Sequence, residues 1–165
     1  MIKEKTKEIL DILNLSDDYA EKRKERRKGS DATNEFFTPN MLVCHMCDKV
    51  PVEKWADPES TWLEPSFGNG QFLIEIVRRR IQDYDIPWKT TLNNLYGIEL
   101  MPDNREEAVE RIIDLLKALD VPAFDESAAR EIMKGNLVCS DFFKWDCLNW
   151  CPIEEVKEPV SIELF

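Results

Sequence analysis

Histidine is nearly missing from this sequence, with His45 alone in 165 residues, and glycine is scarce at five. With no evident nucleophile to serve, His45 is read as structural or surface and not as part of a catalytic triad. No apolar run approaches the roughly 18 residues needed to span a bilayer. The N-terminal MIKEKTKEIL is too charged for the apolar core of a signal peptide. A cytoplasmic protein with no membrane association is therefore expected. The five cysteines (Cys44, Cys47, Cys139, Cys147 and Cys151) are odd in number. A chain of this length does not depend on disulfides, which argues against a secreted scaffold. Cys44 and Cys47, with Cys147 and Cys151, have a spacing that zinc sites use. Cys44 and Cys47, however, fall within an apolar helical pattern, where cysteine usually serves as a small buried hydrophobe. No metal site is expected.

Positive charge is also in deficit. The net charge of −11 argues against a uniformly basic nucleic-acid binder. One stretch departs from this. Residues 21–28, EKRKERRK, carry +4 and leave −15 for the rest. This run reads first as a solvated helix face with i,i+4 ion pairs. It is also the place where contact with DNA is expected, if the protein makes any.

What is present suffices for one domain with a true core. Apolar residues make up 43% of the chain, with five tryptophans and eight phenylalanines. The organising stretch is residues 62–73, WLEPSFGNGQFL. It reads as a buried strand end, an acid and a proline, a glycine turn, then a helix. Gly68 and Gly70 permit positive φ and close backbone approach. The free N–H groups of the following helix face a polar ligand group.

Along the chain, residues 2–13 form an amphipathic pattern, and Ser16-Asp17-Asp18 cap a second helix over 19–28. Residues 1–33 are expected to be a helical appendage. A helix is expected over 40–50 with Met41, Leu42, Met46 and Val50 at helical spacing. Pro51 and Pro58 bracket a loop holding Trp55, and a strand covers 61–63. The next helix, 71–82, buries Phe72, Leu73, Ile76, Val77 and Ile81, with Arg78, Arg79 and Arg80 at its exposed end. Residues 83–93 read as a polar connection and 94–100 as a buried strand ending in an acid. Asp103 or Asn104 caps a long amphipathic helix carrying Ala108, Val109, Ile112, Ile113, Leu115, Leu116 and Leu119. A shorter helix, 125–134, is terminated by Gly135. A third strand covers 136–139, and a weak one 159–164. Strands alternating with helices imply an α/β fold with a parallel sheet, whose ligands bind beyond the carboxyl ends of the strands. Glu64 to Gly70, Glu99, and Asp141 with Phe142 all fall at such ends.

A glycine turn, an acid after the second strand and an acid–aromatic pair after the third form a nucleoside-binding layout. Glu99 has acceptors for both ribose hydroxyls. Asp141 accepts from an exocyclic amine, and Phe142 packs on a purine face. Singly, each also reads as a helix-entry acid, a cap or a core residue.

In these motifs the chain resembles the cofactor-binding part of the S-adenosylmethionine-dependent DNA adenine-N6 methyltransferases of restriction–modification systems. Phe36-Phe37-Thr38-Pro39 resembles the segment that closes over the cofactor. Glu64 to Leu73 resembles the glycine motif, with Phe67 where a small residue or cysteine is usual. Tyr96-Gly97-Ile98-Glu99-Leu100 resembles the ribose-binding strand, and Asn136 to Phe142 the adenine-binding strand. The resemblance implies a Rossmann-like class I methyltransferase core, incomplete, over residues 34–165. It implies S-adenosylmethionine as cofactor, held by Phe37, Thr38, Glu64, Pro65, Gly68, Gly70, Phe72, Glu99, Leu100, Asp141 and Phe142.

Active members of that family carry a [D/N/S]-P-P-[Y/F/W] tetrapeptide that holds the target amine and stacks on a flipped base. No Pro-Pro pair occurs in this sequence, which ends at Phe165 about where that motif is expected. No catalytic residue is assigned. The expected protein binds cofactor but is truncated, split or inactive alone, with a second methyltransferase chain as partner. The alternative is a non-enzymatic decoy or regulator of a restriction–modification or related host defence complex. A third reading is an α/β domain for another adenosine ligand. An uncovered sheet edge makes a homodimer or a partner chain a further expectation.

Overall fold

The computed structural model describes residues 38–153. Phe37, the expected helices over 2–13 and 19–28, the basic run 21–28 and the expected strand 159–164 lie outside the described residues. The described chain is a mixed α/β fold around a three-stranded parallel sheet. Strands β1 (Trp62–Glu64), β2 (Leu95–Glu99) and β3 (Leu137–Cys139) lie in the order β1-β2-β3. Trp62 stands opposite Leu95, and Glu64, Gly97 and Leu137 share one rung. Among the described residues, β1 and β3 each pair on one side only.

Two helices precede the sheet, α1 (Asn40–Cys47) and α2 (Val52–Ala56). Helix α1 turns its small face inward. Val43 and Cys47 are buried, whereas Met41, Leu42 and Met46, the residues expected at its apolar spacing, are exposed. His45 is exposed as well. Burial pushes the Cys47 thiol up to about 11. The segment expected as a plain loop around Trp55 is helix α2. Trp55 stacks on Trp62 of β1 at 4.2 Å between centroids and drives the turn of helix into the core.

Helix α3 (Gln71–Arg78) follows the glycine turn and continues as a π-helical segment, Arg79–Asp83. The three arginines are not an exposed end. Arg78 and Arg79 both pair with the buried Glu75 carboxylate, at 2.9 and 2.6 Å. Arg79 also reaches Asp48 and the Cys44 carbonyl, which fastens α1 to α3. Arg80 is fully buried and donates to the carbonyls of Asp57 and Pro58. The triplet is expected at an exposed end, but Arg78 and Arg79 share the buried Glu75 carboxylate and Arg80 is satisfied by backbone carbonyls.

Residues 83–93 hold a further helix, α4 (Trp88–Asn93), with Trp88, Thr91 and Leu92 buried. Six residues give too little periodicity to be seen in a polar stretch. Helix α5 (Pro102–Ala118) has Pro102 in its first turn and Met101, not Asp103 or Asn104, at the N-cap; Asn104 is buried inside the first turn. Its expected apolar positions from Ala108 to Leu116 are buried. Helix α6 (Glu126–Asn136) is capped by Asp125, which accepts the Ala128 N–H at 3.0 Å. Gly135 lies inside α6 and does not end it; the chain passes straight into β3. After a 3₁₀ turn (Phe142–Lys144), β4 (Trp145–Asp146) and β5 (Cys151–Pro152) form an antiparallel pair. Trp150 of this hairpin packs edge-on against Tyr96 of β2.

Among the described residues no helix is long and apolar enough to cross a membrane.

Candidate functional site

The carboxyl ends of the three strands meet at one end of the sheet. After β1 the chain makes its glycine turn, with Gly68 at φ 54° and Gly70 at φ 87°. Both values lie in the left-handed region that favours glycine. The floor of the turn is α5, since a Cβ on Gly70 would stand 2.8 Å from the Ala108 Cβ. Phe67 points inward and is buried against Gly97, where an added Cβ would come within 2.6 Å of its ring. The bulky residue at this motif position is thus matched by a glycine on the neighbouring strand.

Glu99, at the end of β2, is 6% exposed. Its Oε2 accepts the Gly68 N–H at 2.8 Å; its Oε1 accepts the Met101 N–H at 3.0 Å and the Asn104 amide at 3.3 Å. A carboxylate offers about four acceptor sites. Three are taken, so Glu99 receives both hydroxyls of a ribose only by releasing an internal donor. Glu64, at the end of β1, accepts weakly from the Ser66 N–H, and burial raises its carboxyl above the ordinary range.

Beyond β3, Asp141 accepts the Phe143 N–H at 3.0 Å through Oδ1 and so caps the 3₁₀ turn. This is the cap that its position also allowed. Phe142 and Phe143 stand edge-to-face at 5.6 Å, and both are exposed, Phe143 at 85%. A cleft of about 360 Å³ opens between these strand ends, lined by Pro65, Ser66, Leu100, Ser140, Asp141, Phe142 and Phe143.

Four of the expected site residues, Pro65, Leu100, Asp141 and Phe142, therefore share one cleft. Glu64, Gly68, Gly70 and Glu99 stand at the same strand ends but outside its lining. Phe72 packs against the hydrophobic core from the first turn of α3. Thr38 is half-buried ahead of α1 and does not line the cleft. Phe37 lies outside the described residues. Ser66, Ser140 and Phe143 were missed, although each adjoins a residue that the motifs had marked. The chemistry of the cleft is an apolar slot with a carboxylate at one side, which suits a flat heterocycle bearing an amine.

A second, more apolar groove of about 470 Å³ lies between residues 81–89 and 121–123, with Trp88 and Pro122 in its walls. It contains none of the motif residues. Among the described residues no cluster of three or more histidine, cysteine or acidic side chains has the arrangement of a metal site.

No family model, no curated protein and no solved structure matches this chain.

Proposed function

We propose that the chain is a DNA adenine-N6 methyltransferase-like protein with a class I methyltransferase core. In this reading it binds S-adenosylmethionine at the strand ends and does not complete methyl transfer alone. The observation that carries the reading is the convergence of Pro65, Leu100, Asp141 and Phe142 on one cleft beside a glycine turn. Convergent polar groups in an otherwise apolar cleft, at the carboxyl ends of parallel strands, are what a nucleoside ligand requires.

In this reading the cleft side chains receive the adenine end of the cofactor. Asp141 Oδ2 accepts from the exocyclic amine, while Oδ1 keeps its bond to Phe143. Phe142 packs on the purine face, and Leu100 and Pro65 close the apolar sides. At the ribose end Glu99 accepts one hydroxyl on its remaining Oε2 site; Gly68 keeps the other. When bound, the cofactor supplies an activated methyl group. Residues 1–165 contain no Pro-Pro pair of the kind that holds a target amine in line with it. A second chain carrying that tetrapeptide is the partner this reading requires.

A specific feature favours a second reading, in which the protein regulates a restriction–modification or other DNA-handling complex without catalysis. Phe143 in the cleft wall, and Leu148 and Ile153 later in the chain, are exposed, and apolar side chains in that state suit a protein partner. The acidic balance of the chain suits a basic one.

Calorimetric titration with S-adenosylmethionine and its demethylated product tests the first reading. Saturable binding is expected. Asp141→Asn preserves the cap oxygen but turns an amine donor toward the ligand's amine, and is expected to weaken binding by about tenfold or more. Absence of binding by folded wild-type protein, or unchanged affinity in Asp141→Asn, overturns it.

A further inference from the structure

The glycine turn is held from beneath by a side chain 42 residues later in sequence. Arg111, on α5, is 3% exposed. Its Nη1 donates to the Asn69 carbonyl at 2.7 Å, and its Nη2 donates to Gln71 Oε1 at 3.3 Å. Asn69 stands between the two positive-φ glycines. Its peptide bond to Gly70 is gripped at both ends, since the Gly70 N–H donates to the Phe67 carbonyl at 2.8 Å. A planar peptide held at both its oxygen and its hydrogen flips only by breaking both bonds. One turn earlier on α5, the partly buried Glu107 carboxyl lies near Arg111, and Ala108 forms the steric floor.

Something opposes this grip. The Asn69 side chain is fully buried, and neither of its amide atoms has a hydrogen-bond partner. Burying an unpaired amide is unfavourable, so a relaxed turn that let it reach water would be preferred locally. The charge-assisted bond from Arg111 to the Asn69 carbonyl acts against that release.

We propose that Arg111 is a positioning residue that locks the glycine turn in its ligand-receiving shape. It touches no ligand; it acts through the Asn69–Gly70 peptide. The ligand consequence rests on the cofactor-binding reading given above, whereas the locking of the turn does not.

Backbone amide hydrogen exchange on the whole chain, with and without S-adenosylmethionine, tests this. In Arg111→Met, the amides of residues 67–71 are expected to exchange about tenfold faster or more, while Leu95 and Ile98 of β2 change far less. Arg111→Lys keeps the charge and one donor toward the Asn69 carbonyl, and is expected to recover part of the protection. If Arg111→Met fails to fold because the Glu107 carboxyl is left buried without its neighbour, the double variant Glu107→Gln with Arg111→Met removes both ionisable groups and serves instead. The cofactor dissociation constant is expected to rise with the exchange rate of the turn. Unchanged turn exchange, or a rise matched throughout β2, overturns the proposal. Wild-type protein that binds no cofactor overturns the functional reading, while the exchange data still decide whether Arg111 locks the turn.

Discussion

Glu99 accepts the Gly68 N–H at 2.8 Å, tying the end of β2 to the turn that follows β1. The residue expected to hold a ribose is therefore also a structural fastener of the glycine turn. Glu99→Gln places an amide N–H₂ against donors that need an acceptor. Such a variant is expected to lose about 2 to 3 kcal/mol of stability, as for hydrogen bonds to a charged group. Chemical denaturation checks this, and stability within about 0.5 kcal/mol of wild type, the scatter of neutral surface substitutions, would refute the fastening role. Loss of ligand affinity in a Glu99 variant does not alone demonstrate a ribose contact, which is why Asp141→Asn is the sharper probe.

Gly97 and Phe67 are fitted to each other. A methyl group at position 97 would lie 2.6 Å from Phe67 Cδ1 and 3.1 Å from Leu137 Cδ2. Gly97→Ala is expected to cost about 1 to 3 kcal/mol by overpacking. Adding Phe67→Leu is expected to recover part of that loss in thermal melts. Gly70→Ala behaves differently. Ala108→Gly relieves its clash, but the φ of 87° still disfavours a Cβ, so this double variant stays impaired.

Arg80 holds the segment between α2 and β1 by its two carbonyl contacts. Arg80→Ala leaves two carbonyls without their donors and a cavity where the stem was. Arg80→Met fills the space and removes a buried charge. Limited proteolysis within residues 51–60 is expected to accelerate in both, more in Arg80→Ala. Equal resistance to wild type would mean that the aromatic stack of Trp55 on Trp62 secures the segment unaided.

Burial raises the Glu107 carboxyl from its ordinary 4.5 to about 7, with Arg111 only partly offsetting it. The folded protein thus keeps this proton to higher pH than the unfolded chain does. The contribution is full below about 4.5 and is lost as pH rises through 7. Glu64, raised by burial, acts in the same direction. Glu75 acts oppositely, and only in acid; burial raises its carboxyl, but Arg78 and Arg79 outweigh that and hold it low. The melting temperature is expected to be higher at pH 5.5 than at pH 8, with a flatter slope in Glu107→Gln. An identical slope in that variant would show that Glu107 does not titrate in this window.

The parallel α/β plan was legible in the sequence. Apolar strands ending in Glu64, Glu99 and Cys139 alternate with helices whose 3.6-residue stripe is plain, as from Ala108 to Leu116 in α5. The sequence also marked the glycine turn, because positive φ at Gly68 and Gly70 is a local steric matter. Tertiary structure alone decided which polar side chains are buried and on what. Arg80 and Arg111 look like solvated residues in sequence, and Asn104 like a helix cap; each is enclosed because its acceptor lies across the fold or at the end of the preceding strand. The inward face of α1 went the same way. Met41 and Leu42 have the bulk, but Val43 and Cys47 are small enough to lie against α3. Local pattern records propensity, whereas the pairing of buried charges and the fit of facing side chains depend on residues tens of positions apart.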